Sequence, residues 1–114
     1  MKKINAIVRA SKFEAVRDAL AEKNIHFFSF FEIKGYGHAK GEHRTYRGAA
    51  YDIGYIARIE LEIILSDTFV APAIEAILSA AKTGEKGDGL ITVTPIEQVI
   101  NIRTGFTGSE AINS

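Results

Sequence analysis

"RIELEIILSDTFVAPAIEAILSAAKTG", residues 58–84, changes its hydrophobic period part-way along, and that change decides the fold. Ile59, Leu61, Ile63 and Leu65 alternate with Glu60 and Glu62, the two-residue period of a strand with one buried face. Beyond Ser66 and Asp67, either of which can cap a helix, Val70, Ile74, Ile77, Leu78 and Ala81 fall into helical spacing. Pro72 stands near the start of that helix and Gly84 near its end. "LITVTPI", residues 90–96, then returns to a strand.

The first part of the chain has the same order. "KINAIVR", residues 3–9, reads as a strand with Ile4, Ala6 and Val8 on one face and Ile7 on the other. Ser11 and Glu14 have capping-box spacing, and Phe13, Val16 and Leu20 recur at helical distances until Asn24. "HFFSFFEIK", residues 26–34, is aromatic-rich and reads as a second strand. Residues 98–104 can add a short edge strand. Two β-α-β units joined this way predict an α+β, ferredoxin-like βαββαβ sandwich, with helices on one face of an antiparallel sheet. Apolar residues such as Phe28, Phe30 and Ile64 are expected on the other face, which self-association would cover.

Between the second and third strands lies "KGYGHAKGEHRTYRGAAYDIGY", residues 34–55, where a short turn would have sufficed. Insertions of this length in compact domains tend to be functional or disordered. A length of 114 residues predicts one domain, and 46% apolar with 25% charged residues is the composition of a folded one. Formal charges sum to zero, which argues against nucleic acid as partner. No cysteine is present, so disulfides and thiolate metal sites are excluded, in keeping with a reducing compartment. Asn5 and Arg9 interrupt the first apolar run too early for a signal or spanning segment, so a soluble, cytoplasmic protein without direct membrane insertion is expected.

At "YRGAAY", residues 46–51, the chain resembles the PII family of nitrogen-signalling proteins. "MKKINAIV" (1–8), "VRDALAE" (16–22), "KGYGHAKG" (34–41), "AAKTGEKGDG" (80–89) and "IRTG" (102–105) support the resemblance up to about Thr104. The resemblance implies a single domain over residues 1–114 that assembles as a homotrimer, with a T-loop at about 36–56 and a C-terminal tail at about 105–114. It further implies ADP or ATP, with AMP as a third candidate, bound in inter-subunit clefts. The residues it points to are Ile7, Gly35, Tyr36, Gly37, His38, Glu62, Gly87, Asp88, Gly89 and Arg103. Tyr46, Arg47 and Tyr51 would contact a target, and Tyr51 occupies the position that some members modify covalently. The target would be an ammonium channel, another membrane transporter or a nitrogen-metabolism enzyme.

Several positions depart from the family pattern. His38 and Asn101 stand where arginines are usual, Ala39 where glutamine is, Leu90 where lysine is, and Arg58 in place of another lysine. Alanine offers no oxygen to Mg²⁺, which argues against the family's 2-oxoglutarate sensing. Leu90 and Asn101 remove cations from the phosphate region, so weaker triphosphate binding is expected. A metal-responsive regulator is the alternative reading, because His38, Glu42 and His43 cluster in the insertion and imidazoles with a carboxylate suit transition metals. No nucleophile–base pair and no complete Walker motif is visible, so a regulator is expected and not an enzyme, with slow ATP hydrolysis at most.

Overall fold

The computed structural model describes residues 1–36, 43–46, 49–52 and 55–113, with residues 43–46, 49–52, 55 and 56 described in their backbone. Along the chain come β1 (Lys2–Arg9), a 3-10 turn (Ala10–Lys12), α1 (Phe13–Glu22), β2 (Ser29–Tyr36), β3 (His43–Tyr46), β4 (Ala49–Asp52), β5 (Tyr55–Leu65), α2 (Asp67–Ala81), β6 (Gly89–Pro95) and α3 (Ser109–Ile112). Four strands form one sheet in the order β2-β5-β1-β6, and each neighbouring pair is antiparallel. This is the expected ferredoxin-like α+β arrangement, with α1 and α2 each crossing between strands that are not adjacent.

Alternation in the sequence becomes the two faces of that sheet. Ile4, Ala6 and Val8 of β1 and Ile59, Leu61, Ile63 and Leu65 of β5 are buried beneath Val16 and Leu20 of α1 and Ala73, Ala76 and Ile77 of α2. Leu78, read as part of the same helical stripe, is exposed. The register sets Asn5 opposite Glu62 and Thr92, and Ile7 opposite Glu60 and Leu90, on the face away from the helices. Ile64 shares that face, opposite Lys3. Phe28 and Phe30 do not: their rings meet Phe13 of α1, at centroid distances of 6.3 and 4.6 Å. Phe30 pairs with Leu61, so it belongs with the buried side of β5, and the open face carries Phe31 and Ile33 instead.

The helix ends explain where the strands begin. No capping box forms at Ser11; the 3-10 turn takes up the N-terminus of α1, and Lys12 holds the cap position without a side-chain bond. At the other end Asn24 adopts φ +62°, the Asn24 N–H donates to the Ala21 carbonyl, and the Ile25 N–H donates to the Leu20 carbonyl. This is a Schellman stop with asparagine in the left-handed position, closed by the buried pair Leu20 and Ile25. It consumes the residues after the helix, so β2 begins at Ser29 and not at His26. Ser66 caps α2 by position alone, because its hydroxyl is hydrogen-bonded to that of Ser109, 2.9 Å away.

Two further differences lie in segments read as irregular. The insertion contains a small hairpin, β3 with β4, in which Thr45 pairs with Ala50. β5 starts at Tyr55, before the residue where alternation becomes visible. Residues 98–104 form no edge strand; the Ile100–Thr107 bridge closes a tight loop instead, and α3 follows in the tail.

Gly89 is where β6 meets β1 most closely. Its φ is +111°, and a Cβ there would lie 1.7 Å from the Ile7 carbonyl oxygen. Gly105, at φ +74°, has open space around the same position. Gly89→Ala is therefore expected to destabilise the protein by at least about 3 kcal/mol in denaturant unfolding. Gly105→Ala should cost only about 1–2 kcal/mol of left-handed strain; equal losses would contradict the close approach.

Candidate functional site

The segment between α2 and β6 is organised by one carboxylate. Asp88 Oδ2 accepts from the backbone N–H groups of Thr83 (2.8 Å) and Gly84 (2.9 Å). Its Oδ1 accepts from the Thr83 hydroxyl and from Arg9 Nε, the latter at 3.1 Å. Arg9 Nη2 also donates to the Lys86 carbonyl at 3.0 Å, so the end of β1 grips the loop twice. Gly84 and Gly87, at φ +90° and +98°, supply the left-handed turns that let the chain double back. Hydrogen bonds from the Thr83 side chain and backbone, then from Gly84 and Arg9, hold the Asp88 carboxyl well below the usual carboxylate range.

Strand register brings further residues to the same end of the sheet. Gly35 pairs with Ile56 and Ile33 with Arg58 on one side, while Arg9 pairs with Arg58 and Val8 with Gly89 on the other. Ile7 lies between Glu60 and Leu90, one residue inward. Arg58 is buried, with 7% of its surface exposed, whereas Tyr36 projects at 90%. A mainly apolar groove of about 450 Å³ runs along the β6 edge here, bordered by Ile7, Leu78, Asp88, Gly89 and Leu90. This end therefore combines glycine backbone, two guanidinium groups and an apolar wall.

Glu62 and Arg103 belong to the opposite end. Glu62, on the open face between Asn5 and Ser29, pairs with Lys3 at 3.3 Å and borders a depression of about 430 Å³ with Phe27, Ser29, Ile64 and Val99. Beyond β6 the chain is anchored there: the Ile96 N–H donates to the Met1 carbonyl, and Ser109 reaches Ser66 at the end of β5. Arg103 is exposed in the turn of that segment. Its N–H donates to Asn101 Oδ1 at 2.9 Å, as does that of Thr104 at 3.1 Å. One chain thus carries its glycine loop and its exposed arginine at opposite ends of a single sheet.

A family model described as "Nitrogen regulatory protein P-II" matches residues 1–106. The chain belongs to the P-II family. It is 46% identical to the nitrogen regulatory protein P-II of Azospirillum brasilense and 44% identical to that of Cereibacter sphaeroides, each over 98% of this chain and all of the relative. The corresponding protein of Nostoc punctiforme is 40% identical over the same shares. A P-II chain belongs among regulatory proteins of nitrogen metabolism that act on partner proteins, which agrees with the sequence reading of a regulator. Among the described residues, no helix is long and apolar enough to cross a membrane.

The expected site residues fall into four groups. Ile7, Gly35, Tyr36, Gly87, Asp88 and Gly89 gather at the loop end, and Glu62 and Arg103 at the other. Gly37, His38 and Arg47 lie outside the described residues, and so do Ala39 and Glu42. His43, Tyr46 and Tyr51 are described in their backbone only, on the strands of the β3–β4 hairpin. The described residues include no cluster of three or more histidines or acids placed to hold a metal.

Three residues have roles in the fold that the sequence reading did not assign. Each oxygen of Asp88 already accepts two hydrogen bonds from the protein, so this side chain builds the loop. A Cβ at Gly89 would strike the Ile7 carbonyl oxygen, so the pairing of β6 with β1 by itself requires glycine there. Asn101, read as the loss of a cation, organises a turn, for which the short side chain and acceptor oxygen of asparagine are the recognisable signal. Nothing local in the sequence links Arg9 to Asp88, which lie 79 positions apart.

Because the folded Asp88 carboxyl is depressed, its contribution is complete above the unfolded value of about 3.9 and is lost as pH falls below it. Exchange protection of the Thr83 and Gly84 amides, corrected for intrinsic rates, is expected to hold from pH 7 to about pH 4 and decline below that. In Asp88→Asn it should be lower throughout and show no such decline.

Proposed function

We propose that this P-II chain senses the adenine nucleotide pool, binding ADP or ATP, with AMP as a third candidate ligand, in clefts built from two copies. The observation that carries the reading is the separation of Gly87–Gly89 from Arg103. An anion needs donors from both, and a head-to-tail contact between copies brings the two ends together. Repeated around a closed ring, such contacts give a cyclic homo-oligomer, and the family resemblance makes that ring a trimer. In this reading the open sheet face, with Ile7, Phe31, Ile33 and Ile64, is covered by neighbouring copies.

Each part of the cleft has a chemical task. Ile7 and Leu90 provide an apolar wall at the loop end, and Gly35, Gly37 and Gly87 let backbone approach the ligand without a Cβ. Glu62 and Ser29 offer polar groups beside the Phe27 and Ile64 surface, suited to a base. Arg103 supplies a planar guanidinium for phosphate. Output passes through the T-loop at about 36–56, with Tyr46, Arg47 and Tyr51 meeting a target protein such as an ammonium channel, another transporter or a nitrogen-metabolism enzyme. Tyr51 is the candidate for covalent modification. Nothing in this scheme requires a bond to be broken, so the role is regulatory.

Leu90 and Asn101 put hydrocarbon and an amide where the family's cations would meet phosphate. ATP is therefore bound no more tightly than ADP, and 2-oxoglutarate, for which Ala39 offers no metal-organising oxygen, has no effect. Calorimetric titration of the full chain with ADP, ATP and AMP, each with Mg²⁺ and with or without 2-oxoglutarate, tests this. Saturable binding of ADP unchanged by 2-oxoglutarate is the expected result; absence of heat with all three nucleotides would overturn the reading.

A further inference from the structure

Asn101 uses its side-chain oxygen, its side-chain amide and its backbone to hold the turn that carries Arg103. Oδ1 accepts from the backbone N–H groups of Arg103 (2.9 Å) and Thr104 (3.1 Å), while Nδ2 donates to the Ala111 carbonyl at 3.0 Å. Its backbone closes the same turn: the Asn101 N–H donates to the Phe106 carbonyl at 2.9 Å, and its carbonyl accepts from Gly105 at 2.8 Å. Thr104 then bonds the Phe106 N–H through its hydroxyl at 3.1 Å. α3 is pinned in turn through Ser109 to Ser66, where β5 gives way to α2. A partly buried amide therefore ties an exposed turn to α3, which is itself tied to the start of α2.

We propose that Asn101 is a positioning residue for Arg103, holding the 101–106 turn so that the guanidinium is presented in one place to an anionic ligand. The proposal rests on the nucleotide reading above for the identity of that ligand, a nucleoside phosphate. The physical argument is entropic. An arginine on an unsupported loop must be ordered when it binds, whereas one whose own N–H and that of its neighbour are already fixed loses less freedom. Asparagine suits the position because it combines an acceptor for two successive amides with a donor for the Ala111 carbonyl. Arginine has five donors and no acceptor, so it could not hold these amides. Asn101 thus exchanges a direct cation for a pre-ordered neighbour.

The test is a double-mutant cycle on the full chain, read by ADP titration and by amide exchange. Asn101→Ala should raise exchange at Arg103 and Thr104 and weaken ADP binding about tenfold. Asn101→Ser, whose oxygen can accept from a nearby amide but cannot donate to Ala111 with the same reach, should lie between it and the wild type. The deciding comparison is Asn101→Ala made in the Arg103→Ala background. Acting through Arg103, it should have no further effect there, whereas a merely structural role would give additive losses and overturn the proposal. Unchanged exchange at both amides in Asn101→Ala would overturn it as well. A wild-type protein that binds no ADP would overturn the nucleotide reading and the ligand named here with it, an outcome distinct from either of these.

Discussion

Strand β1 is hydrogen-bonded along both edges, to β5 through eight residue pairs and to β6 through seven, and those registers determine what every other part of the molecule can do. A shift of one residue on either side would exchange the buried and open faces. Ile4, Ala6 and Val8 hold the register through burial, and the glycine at position 89 lets β6 approach the Ile7 carbonyl. Once the strands are fixed, Arg9, Arg58, Gly35 and Gly89 must share one end of the sheet. Residues 96–113 leave from the other.

Charge at the loop end is arranged around a pair distant in sequence. Arg9 and Asp88 are each about four-fifths buried in their side chains, so their contact is screened less than a surface ion pair would be. Its consequence is geometric: with the carboxylate satisfied by Thr83, Gly84 and Arg9, the loop has a defined path. At the far end Asn101 provides the corresponding order. The two ends use different means, an ion pair with glycines in one and a side-chain amide in the other, to fix short segments of irregular backbone.

Much of this was legible in the residue order because the governing forces are local or periodic. The alternation of Ile59 to Leu65 and the helical spacing of Phe13, Val16 and Leu20 record one-sided burial directly, and motifs such as "YRGAAY" point to the P-II family. The alternation of residues 26–34 alone does not say which face meets the helices; that follows from the pairing of Phe30 with Leu61 and from the contact of both rings with Phe13. The β3–β4 hairpin was hidden by polar composition, since two short strands can be held by backbone pairing without an apolar stripe. The Arg9–Asp88 contact and the bonds of Asn101 to α3 depend on tertiary approach. They leave no spacing to read.

In the proposed nucleotide reading neither end of a single chain suffices as an anion site, and mixing two damaged chains tests this most directly. Asp88→Ala disrupts the loop end and Arg103→Ala the other, so in the proposed ring, assemblies refolded from both would contain some clefts in which the intact loop of one copy faces the intact arginine of its neighbour. ADP titration of the mixture is predicted to recover a fraction of sites at wild-type affinity that neither variant has alone. A mixture whose affinity is only the average of the two variants would contradict the account and place the whole site within one chain.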